Sequence, residues 1–296
     1  MDWITVAGGT SPPGRWSKAD IRVRWKSAAV IDQNYPVEFL DFVEGLYSAD
    51  TFDAAFSVFE AHVLKLGFDG VLYTYIPQIL LDSNFSKKPV YEVSIDYCPG
   101  FLNHYVEARF DKLDPLIRAV DDGVSVPINW WGDICADYMD QVPASESVLA
   151  TASHYGIRNG LTLPLMSGAR GIAGASFISH ERIGFDKLLD ERIKHLILST
   201  KLFHSMVVSE AGYAANFAQP LLQSLSETER KFVIGLAHGK TTKELSAQLN
   251  RSNKYLEQVM ISTRKKLSGN PERKDEIISR NQLLYYAGLL NILEEG

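Results

Sequence analysis

Two helix starts are marked close together near the C-terminal end of this 296-residue chain. Ser226 is followed three residues later by Glu229, and Thr241 is followed in the same way by Glu244. In this capping-box pattern the hydroxyl and the carboxylate satisfy N–H groups that the first turn of a helix leaves free. Gly239 stands between the two starts, where it can end the first helix in the left-handed conformation. The pattern predicts two helices that meet through a tight turn.

A third helix is predicted after the break at residues 250–252, because the apolar residues beyond it recur at helical spacing. The opposite stripe of that helix carries hydrogen-bond donors, as a helix in the DNA major groove requires. The residues predicted to face the core are Leu256, Met260, Thr263 and Leu267. The residues predicted to face outward are Lys254, Gln258, Ser262 and Lys265.

Basic charge is concentrated at the same end of the chain. Residues 221–296 contain 12 Lys and Arg against 9 Asp and Glu, a balance of +3. Because the whole chain has a net charge of −6, residues 1–220 carry −9. This asymmetry is compatible with an acidic regulatory domain joined to a domain that binds nucleic acid.

Helices on either side of a group of strands are predicted before the basic region. Apolar residues recur at helical spacing over residues 37–66, enough for two helices, and again over residues 185–209. Helices before and after an antiparallel sheet form an α/β/α sandwich, so the predicted fold class is α+β followed by an all-α domain of four helices. The predicted strands are residues 70–77, 90–95, 160–167 and 171–179, the last two joined as a hairpin.

The same patterns predict the domain boundaries. The helical periodicity stops after residue 209 and a new helix start comes at Ser226. The predicted segments are an N-terminal extension at 1–36, a sandwich domain at 37–210, a linker at 211–220 and a helical domain at 221–296.

Composition indicates a cytoplasmic protein. No apolar run approaches the roughly 18 residues of a membrane span, and the first residues lack the apolar centre of a signal peptide. Cys98 and Cys135 have no metal-ligand spacing, and a reducing compartment keeps them as thiols. We therefore expect no metal, no disulfide and no membrane partner.

One aromatic segment ends in a carboxylate. Tyr97, Phe101 and Tyr105 are spaced four residues apart, which turns any helical part of the segment toward one face. Asp114 and Pro115 follow, a pair typical of a helix N-cap and its first-turn proline. Local sequence favours the cap, but a capping carboxylate can also contact a ligand.

The C-terminal region resembles the LuxR-type DNA-binding domain over about residues 221–293. Two departures concern the third helix, where residues 255–259 differ from the usual pattern, and the segment after Leu267, which is lengthened. The positions that carry the resemblance are Leu225, Ser226, Glu229, Val233, Gly239, Glu244, Leu245, Leu249, Ser252, Leu256, Lys266 and Leu267. The candidate DNA-contacting residues are Thr242, Lys243, Arg251, Lys254, Tyr255, Gln258, Ser262, Lys265 and Lys266.

The region 37–210 resembles the acyl-homoserine lactone receptors of the LuxR family, on the spacing of Tyr105, Asp114 with Pro115, Trp130 and the segment GIRNGLTLP at 156–164. The resemblance implies that Asp114 accepts a hydrogen bond from the amide N–H of the ligand. It further implies that Tyr97 and Tyr105 contact or pack on the acyl carbonyl, and that Trp130 walls the lactone.

Two further positions bear on the ligand. Phe101 stands where the family usually has a tryptophan whose indole N–H donates to the lactone carbonyl, and phenylalanine cannot donate. Ser176 offers a hydroxyl near the predicted hairpin. The ligand is therefore an acyl-homoserine lactone held without that bond, or a different small molecule.

The resulting function is a ligand-responsive regulator that binds a double-stranded DNA operator as a homodimer, with the small-molecule signal as ligand and no cofactor. Glu257 on the third helix leaves open a regulator-like antagonist that does not read DNA, because a negative charge near phosphates is unfavourable. An enzyme acting on acyl lactones could use Asp114, His104, His154 and Ser176, but the chain has no G-x-S-x-G elbow. We expect no enzymatic activity.

Overall fold

A computed structural model of the protein describes most of the chain from residue 37 onward. The predicted N-terminal extension 1–36, residues 218–220 of the predicted linker and residues 269–276 of the lengthened segment lie outside the described residues. The described residues are 37–78, 89–95, 97–142, 144–181, 183–217, 223–268 and 277–289.

A five-stranded antiparallel sheet with the order β2-β1-β5-β4-β3 forms the centre of the N-terminal part. The predicted hairpin is confirmed, since Gly168 pairs with Gly171 at its end. The strands are β1 Gly70–Pro77, β2 Glu92–Val93, β3 Ile128–Asn129, β4 Asn159–Gly168 and β5 Gly171–Ser179.

Strand β2 is shorter than the predicted 90–95. Side chains take the places of backbone partners at both of its ends. The Thr74 hydroxyl donates to the Val90 carbonyl at 2.7 Å, and the Val71 N–H donates to the Ser94 hydroxyl at 2.9 Å. The Ser94 N–H also donates to the Val71 carbonyl at 2.8 Å, so backbone pairing with β1 continues one residue past the two-residue strand.

Helices cover both faces of the sheet, which confirms the predicted α+β sandwich. Alternate residues of β1 divide between the faces: Tyr73 and Tyr75 pack in one core and Ile76 in the other. On the Tyr73 face lie α1 Val37–Ser48, α2 Phe52–Lys65 and α7 Phe185–Ser209. On the Ile76 face lie α3 Pro99–Glu107, α4 Pro115–Asp121, α5 Asp133–Gln141 and α6 Glu146–His154, with a 3₁₀ turn at Phe110–Lys112.

The segment after α7 is partly helical. Helix α8, Ala211–Asn216, follows directly, and Phe217 is fully buried at its end. The Phe217 ring packs edge-on against Phe52 and Tyr73, with centroids 5.5 and 5.4 Å apart. The first residues of the predicted linker are therefore attached to the core of the sandwich.

Two histidines lie on the Tyr73 face of the sheet, His62 buried and His204 half-buried. The His62 ring stacks on Phe42 with centroids 4.3 Å apart, and its Nε2 has no hydrogen-bond partner among the described residues. The His204 Nδ1 lies 2.8 Å from the Tyr73 hydroxyl. Burial, with smaller contributions from Lys65 and His195, lowers the pKa of His62 from 6.5 to about 4. Burial also lowers the pKa of His204 to about 4.

We expect the protein to lose stability between pH 6.5 and pH 4. Over this range the unfolded chain takes up protons at His62 and His204 and the folded chain does not, so stability falls as the pH falls. The loss is on the order of 1–2 kcal/mol for each histidine by pH 5. Thermal unfolding between pH 7.5 and pH 5 measures it. His62→Leu should flatten the pH dependence of Tm, and exposed His154→Gln should not; equal slopes in all three proteins would contradict the assignment.

The C-terminal part is helical over most of its described residues. Both predicted capping boxes are present, at Ser226 with Glu229 and at Thr241 with Glu244, and Gly239 has the predicted positive φ of 80°. The helices are α9 Glu227–Ala237, α10 Thr242–Leu249, α11 Asn253–Leu267 and α12 Arg280–Leu289. Their shared core contains Phe232, Leu236, Leu245, Leu256 and Val259.

The two parts of the chain touch at the β4–β5 turn. The Tyr285 hydroxyl on α12 donates to the Ala169 carbonyl at 2.9 Å.

Among the helices that the structure describes, none combines the length and apolarity needed to cross a membrane.

Candidate functional site

A cavity lies between the sheet and the helices of the Ile76 face. Its wall is largely apolar, and all six predicted ligand-binding residues, Tyr97, Phe101, Tyr105, Asp114, Trp130 and Ser176, line it. The other lining residues are Leu72, Thr74, Ile76, Tyr91, Leu102, Leu116, Ile117, Val120, Val148, Leu149, Thr162, Ile172, Ala173 and Gly174.

The cavity is small in this conformation. The space that the centre of a water-sized sphere can reach is about 70 Å³. One water molecule needs roughly 10–15 Å³ of such space, so the cavity has room for a few water molecules. A larger organic ligand therefore requires the lining side chains to move outward.

Asp114 both caps α4 and faces the cavity. Its Oδ1 accepts from the Leu116 N–H at 2.8 Å, and its Oδ2 accepts from the Tyr105 hydroxyl at 2.6 Å. Burial raises the pKa of the Asp114 carboxyl, and the bonds from Tyr105, Leu116 and Ile117 oppose part of that rise. The predicted helix cap is confirmed.

These bonds correct one expectation about stability. A carboxylate buried without donors costs several kcal/mol, so we would expect a cavity without ligand to be unstable. The Tyr105 hydroxyl and the Leu116 amide already give each Asp114 oxygen one donor. A carboxylate oxygen accepts more than one hydrogen bond, so Asp114 can bind a further donor without depending on it.

The three rings of the aromatic segment reach the cavity from a helix and from the turn that precedes it. Phe101 and Tyr105 lie on α3, but Tyr97 precedes this helix, whose N-cap is Cys98. All three rings are nevertheless buried. Phe101 packs edge-on against Tyr105, with ring centroids 5.8 Å apart. Helical spacing therefore explains two of the three rings, and a turn positions Tyr97.

Trp130 is fixed against the sheet by a chain of polar groups. Its indole N–H donates to the Thr162 hydroxyl at 2.9 Å, which lies 2.8 Å from the Ser176 hydroxyl. The indole packs directly on Gly160 of β4, where an added Cβ would lie 2.2 Å from the ring. Only glycine leaves room for the tryptophan at this point of the strand.

Three polar residues of the cavity were missed by the sequence reasoning: Thr74, Tyr91 and Thr162. A signal for Thr162 was present, because it follows Gly160 by two residues and so shares its face of the strand. The sequence around Tyr91 carries no comparable signal.

The α11 surface differs in one respect from the predicted stripe. Leu256, Thr263 and Leu267 are buried as predicted. The prediction that Ser262 faces outward is wrong, because its hydroxyl donates to Glu229 Oε1 at 2.7 Å. Ile261, with 41% of its surface exposed, takes the outward position.

Lys266 is also engaged within the protein. Its ammonium donates to Glu229 Oε2 at 2.6 Å, and the Glu229 side chain is only 5% exposed. Burial alone would raise the pKa of Glu229, but donors from Lys266, Ser226 and Ser262 outweigh it and lower the pKa. Lys266 and Ser262 therefore join α11 to α9 through a buried carboxylate.

The other predicted DNA-contacting side chains lie at the surface. The Arg251 guanidinium lies 5.7 Å from the centroid of the Tyr255 ring, a cation–π contact. Thr242, at the start of α10, is half-buried. The exposed members are Lys243, Arg251, Lys254, Tyr255, Gln258 and Lys265.

Comparison with known proteins places these features in a family. Residues 51–207 match the model of the autoinducer-binding domain. The chain is 22% identical over 241 residues to the transcriptional activator protein BjaR1 of Bradyrhizobium diazoefficiens, covering 79% of this chain and 90% of that protein. It is 25% identical to the transcriptional activator protein AhyR of Aeromonas hydrophila, covering 76% of this chain and 85% of that protein.

A crystal structure of Escherichia coli SdiA is similar at 15% identity and a TM-score of 0.48, and covers 87% of this chain and 98% of that one. The curated relatives are transcriptional regulators and not enzymes. The family model spans more than half of this chain. The chain belongs to the autoinducer-binding family of LuxR-type quorum-sensing transcriptional regulators.

Proposed function

We propose that the protein is a DNA-binding transcription regulator whose activity depends on an acyl-homoserine lactone or a related small molecule. The observation that carries the proposal is the Asp114 carboxylate, which faces a largely apolar cavity and can accept another hydrogen bond. Such a group selects a ligand with an N–H donor and apolar flanks. Mass spectrometry of small molecules that co-purify with the full chain tests the proposal.

The side chains around Asp114 are suited to the rest of such a ligand. Asp114 accepts from the ligand amide, while Tyr97 and Tyr105 contact or pack on the acyl carbonyl. Trp130 packs against the lactone ring of the ligand. Ser176 offers its hydroxyl, which lies beside the Thr162 hydroxyl. Phe101 adds apolar contact but no donor, so the ring carbonyl loses the bond that an indole would supply.

The C-terminal helices are proposed to form a LuxR-type helix-turn-helix domain. Helix α11 enters the major groove with Lys254, Gln258 and Lys265 outward, while Arg251 and Lys243 meet phosphates. A homodimer reads a two-fold symmetric operator. Support comes from the paired capping boxes and from the exposure of these side chains.

Asp114→Asn is expected to weaken the response to ligand by about 1–3 kcal/mol. The amide retains one acceptor but places N–H donors toward Tyr105 and the ligand N–H. Dose response and Tm of the full chain are measured together. Asp122→Asn, which alters an exposed carboxylate at the other end of α4, is the matched control. Unchanged dose response and Tm for Asp114→Asn would exclude both its roles.

Gln258→Ala and Lys265→Ala are expected to affect DNA binding differently. Loss of Gln258 relaxes the preference at one base position by about 1–3 kcal/mol, whereas loss of Lys265 weakens all sequences and lowers the salt slope by about one. Operators selected from a random pool provide the readout. Lys187→Ala, an exposed lysine on α7, is the control. Identical selections and affinities for all variants would contradict the assignment of α11.

Glu257 favours one alternative, an antagonist that keeps the fold without reading DNA. Its side chain is exposed on α11, where it would approach phosphates. Failure to enrich any operator, together with retained ligand binding, would favour the antagonist. Glu257→Gln should then restore measurable DNA affinity.

A further inference from the structure

One buried polar atom in the cavity has no use in the ligand contacts described above. The Tyr91 hydroxyl is buried and has no hydrogen-bond partner among the described residues. The others of this kind in the described part of the chain, His62 Nε2 and Thr263 Oγ1, belong to side chains that do not line the cavity. A buried hydroxyl that lacks a partner costs free energy, so its position in the cavity suits a hydrogen bond to a ligand.

Tyr91 is held next to the groups proposed to bind the ligand amide. Its ring packs edge-on against Tyr105, with centroids 5.7 Å apart at 83°. Phe101 packs edge-on against the same Tyr105 ring at 5.8 Å. Tyr91 and Phe101 are therefore neighbours of one ring, whose hydroxyl donates to Asp114.

We propose that Tyr91 is a ligand-binding residue, and that its hydroxyl donates to a second ligand oxygen, distinct from the acyl carbonyl. The proposal rests on the proposed function and deepens it. Phe101 offers no donor beside the Tyr105 ring, whereas Tyr91 supplies a hydroxyl beside the same ring. The ligand class is a neutral N-acyl compound with an oxygen acceptor on the group attached to its amide nitrogen.

The electrostatic surroundings define this class further. Burial, together with the negative charges of Asp111 and Asp114, raises the pKa of Tyr91 against the opposing effects of the Tyr105 hydroxyl and Arg109, so the hydroxyl keeps its proton and remains a donor. Asp111 is paired with Arg109, and the Asp114 carboxylate repels an anion. A ligand with a free carboxylate at this position is therefore disfavoured relative to a neutral ester, ketone or lactone.

Tyr91→Phe tests the proposal because it removes only the hydroxyl. The probes are N-hexanoyl-L-homoserine lactone and N-cyclopentylhexanamide, which has the same acyl amide but no ring oxygen. The variant should bind the lactone about five- to tenfold more weakly and the cyclopentyl amide with less than about a twofold change. Calorimetry with the full chain gives both affinities.

A second readout does not require ligand. Replacing an unpartnered buried hydroxyl by hydrogen leaves stability unchanged or improved, so Tyr91→Phe should have a ligand-free Tm no lower than the wild type. Tyr105→Phe, which breaks the bond to Asp114, should lower that Tm. Tyr75→Phe, on the other sheet face, should leave lactone affinity unchanged.

The two affinities and the Tm values each test the role of Tyr91. Equal weakening of both probes, unchanged lactone affinity, or a drop in Tm like that of Tyr105→Phe would overturn the role of Tyr91. A wild-type chain that binds neither probe contradicts the lactone part of the proposed function. The Tm comparison then decides the Tyr91 inference by itself: no drop supports the unpartnered hydroxyl, and a drop overturns it.

Discussion

Glu229→Ala is expected to destabilise the C-terminal helices by about 1–3 kcal/mol, the cost of leaving hydrogen-bond donors without their buried acceptor. The carboxylate accepts from Ser226 N–H at 2.7 Å, Ser262 at 2.7 Å and Lys266 at 2.6 Å. Its loss removes half of a capping box and leaves three donors without their acceptor. Because these donors lie on α9 and α11, the packing of one helix against the other fails.

Chemical denaturation of the full chain measures the change in the free energy of unfolding. The DNA affinity of the folded variant is measured separately. Glu227→Ala is the matched control, two residues earlier on the same helix, where an exposed carboxylate pairs with Lys231. An exposed pair of this kind contributes little to stability. Equal losses for Glu227→Ala and Glu229→Ala would contradict the role given to the buried carboxylate.

Gly160→Ala is expected to displace Trp130 and to cost about 1–3 kcal/mol of stability, the usual range for overpacking. The added Cβ would lie 2.2 Å from Cδ2 of the Trp130 ring, so the ring must move. Movement breaks the bond from the indole to Thr162 and disturbs the hydroxyl pair with Ser176. Ligand affinity should fall by more than about tenfold, because the wall of the cavity shifts with the ring.

Gly174→Ala is the control for that change. Gly174 lines the same cavity from the neighbouring strand β5, but an added Cβ would meet the Leu163 carbonyl at 3.5 Å, an ordinary contact. Thermal unfolding and tryptophan fluorescence should therefore separate the two alanine variants. A Gly160→Ala protein with wild-type Tm and emission spectrum would show that the close approach of Trp130 is not required.

Features set by neighbouring residues were predictable from sequence. The capping boxes at Ser226 and Thr241 depend on residues three apart, and the Asp114 cap depends on the amide two positions later. The strands β1 and β5 match their predictions because alternation and turn residues define them locally. The resemblance of the aromatic segment to a known family added the expectation that these residues meet in one site.

Features set by distant partners were not predictable in the same way. Helical spacing predicts that Ser262 lies on the outward stripe. Its hydroxyl instead donates to the Glu229 carboxylate on α9. The hydroxyl of Tyr91 matters because nothing pairs with it in the described structure, a property of packing that no local pattern encodes. The hydroxyl bonds of Thr74 and Ser94 at the two ends of the short β2 likewise depend on the neighbouring strand.

Coupling between ligand and DNA is the property that a regulator of this kind must have. We propose to measure, by fluorescence anisotropy, the affinity of the full chain for an operator selected from a random pool, with and without saturating N-acyl-homoserine lactones of increasing chain length. At least one lactone should raise operator affinity of the wild type by about tenfold or more, corresponding to ~1.4 kcal/mol of coupling, and Asp114→Asn should abolish the increase. Operator affinity that is the same with and without every lactone, or an increase that Asp114→Asn leaves intact, would contradict a lactone-responsive regulator that senses its signal through Asp114.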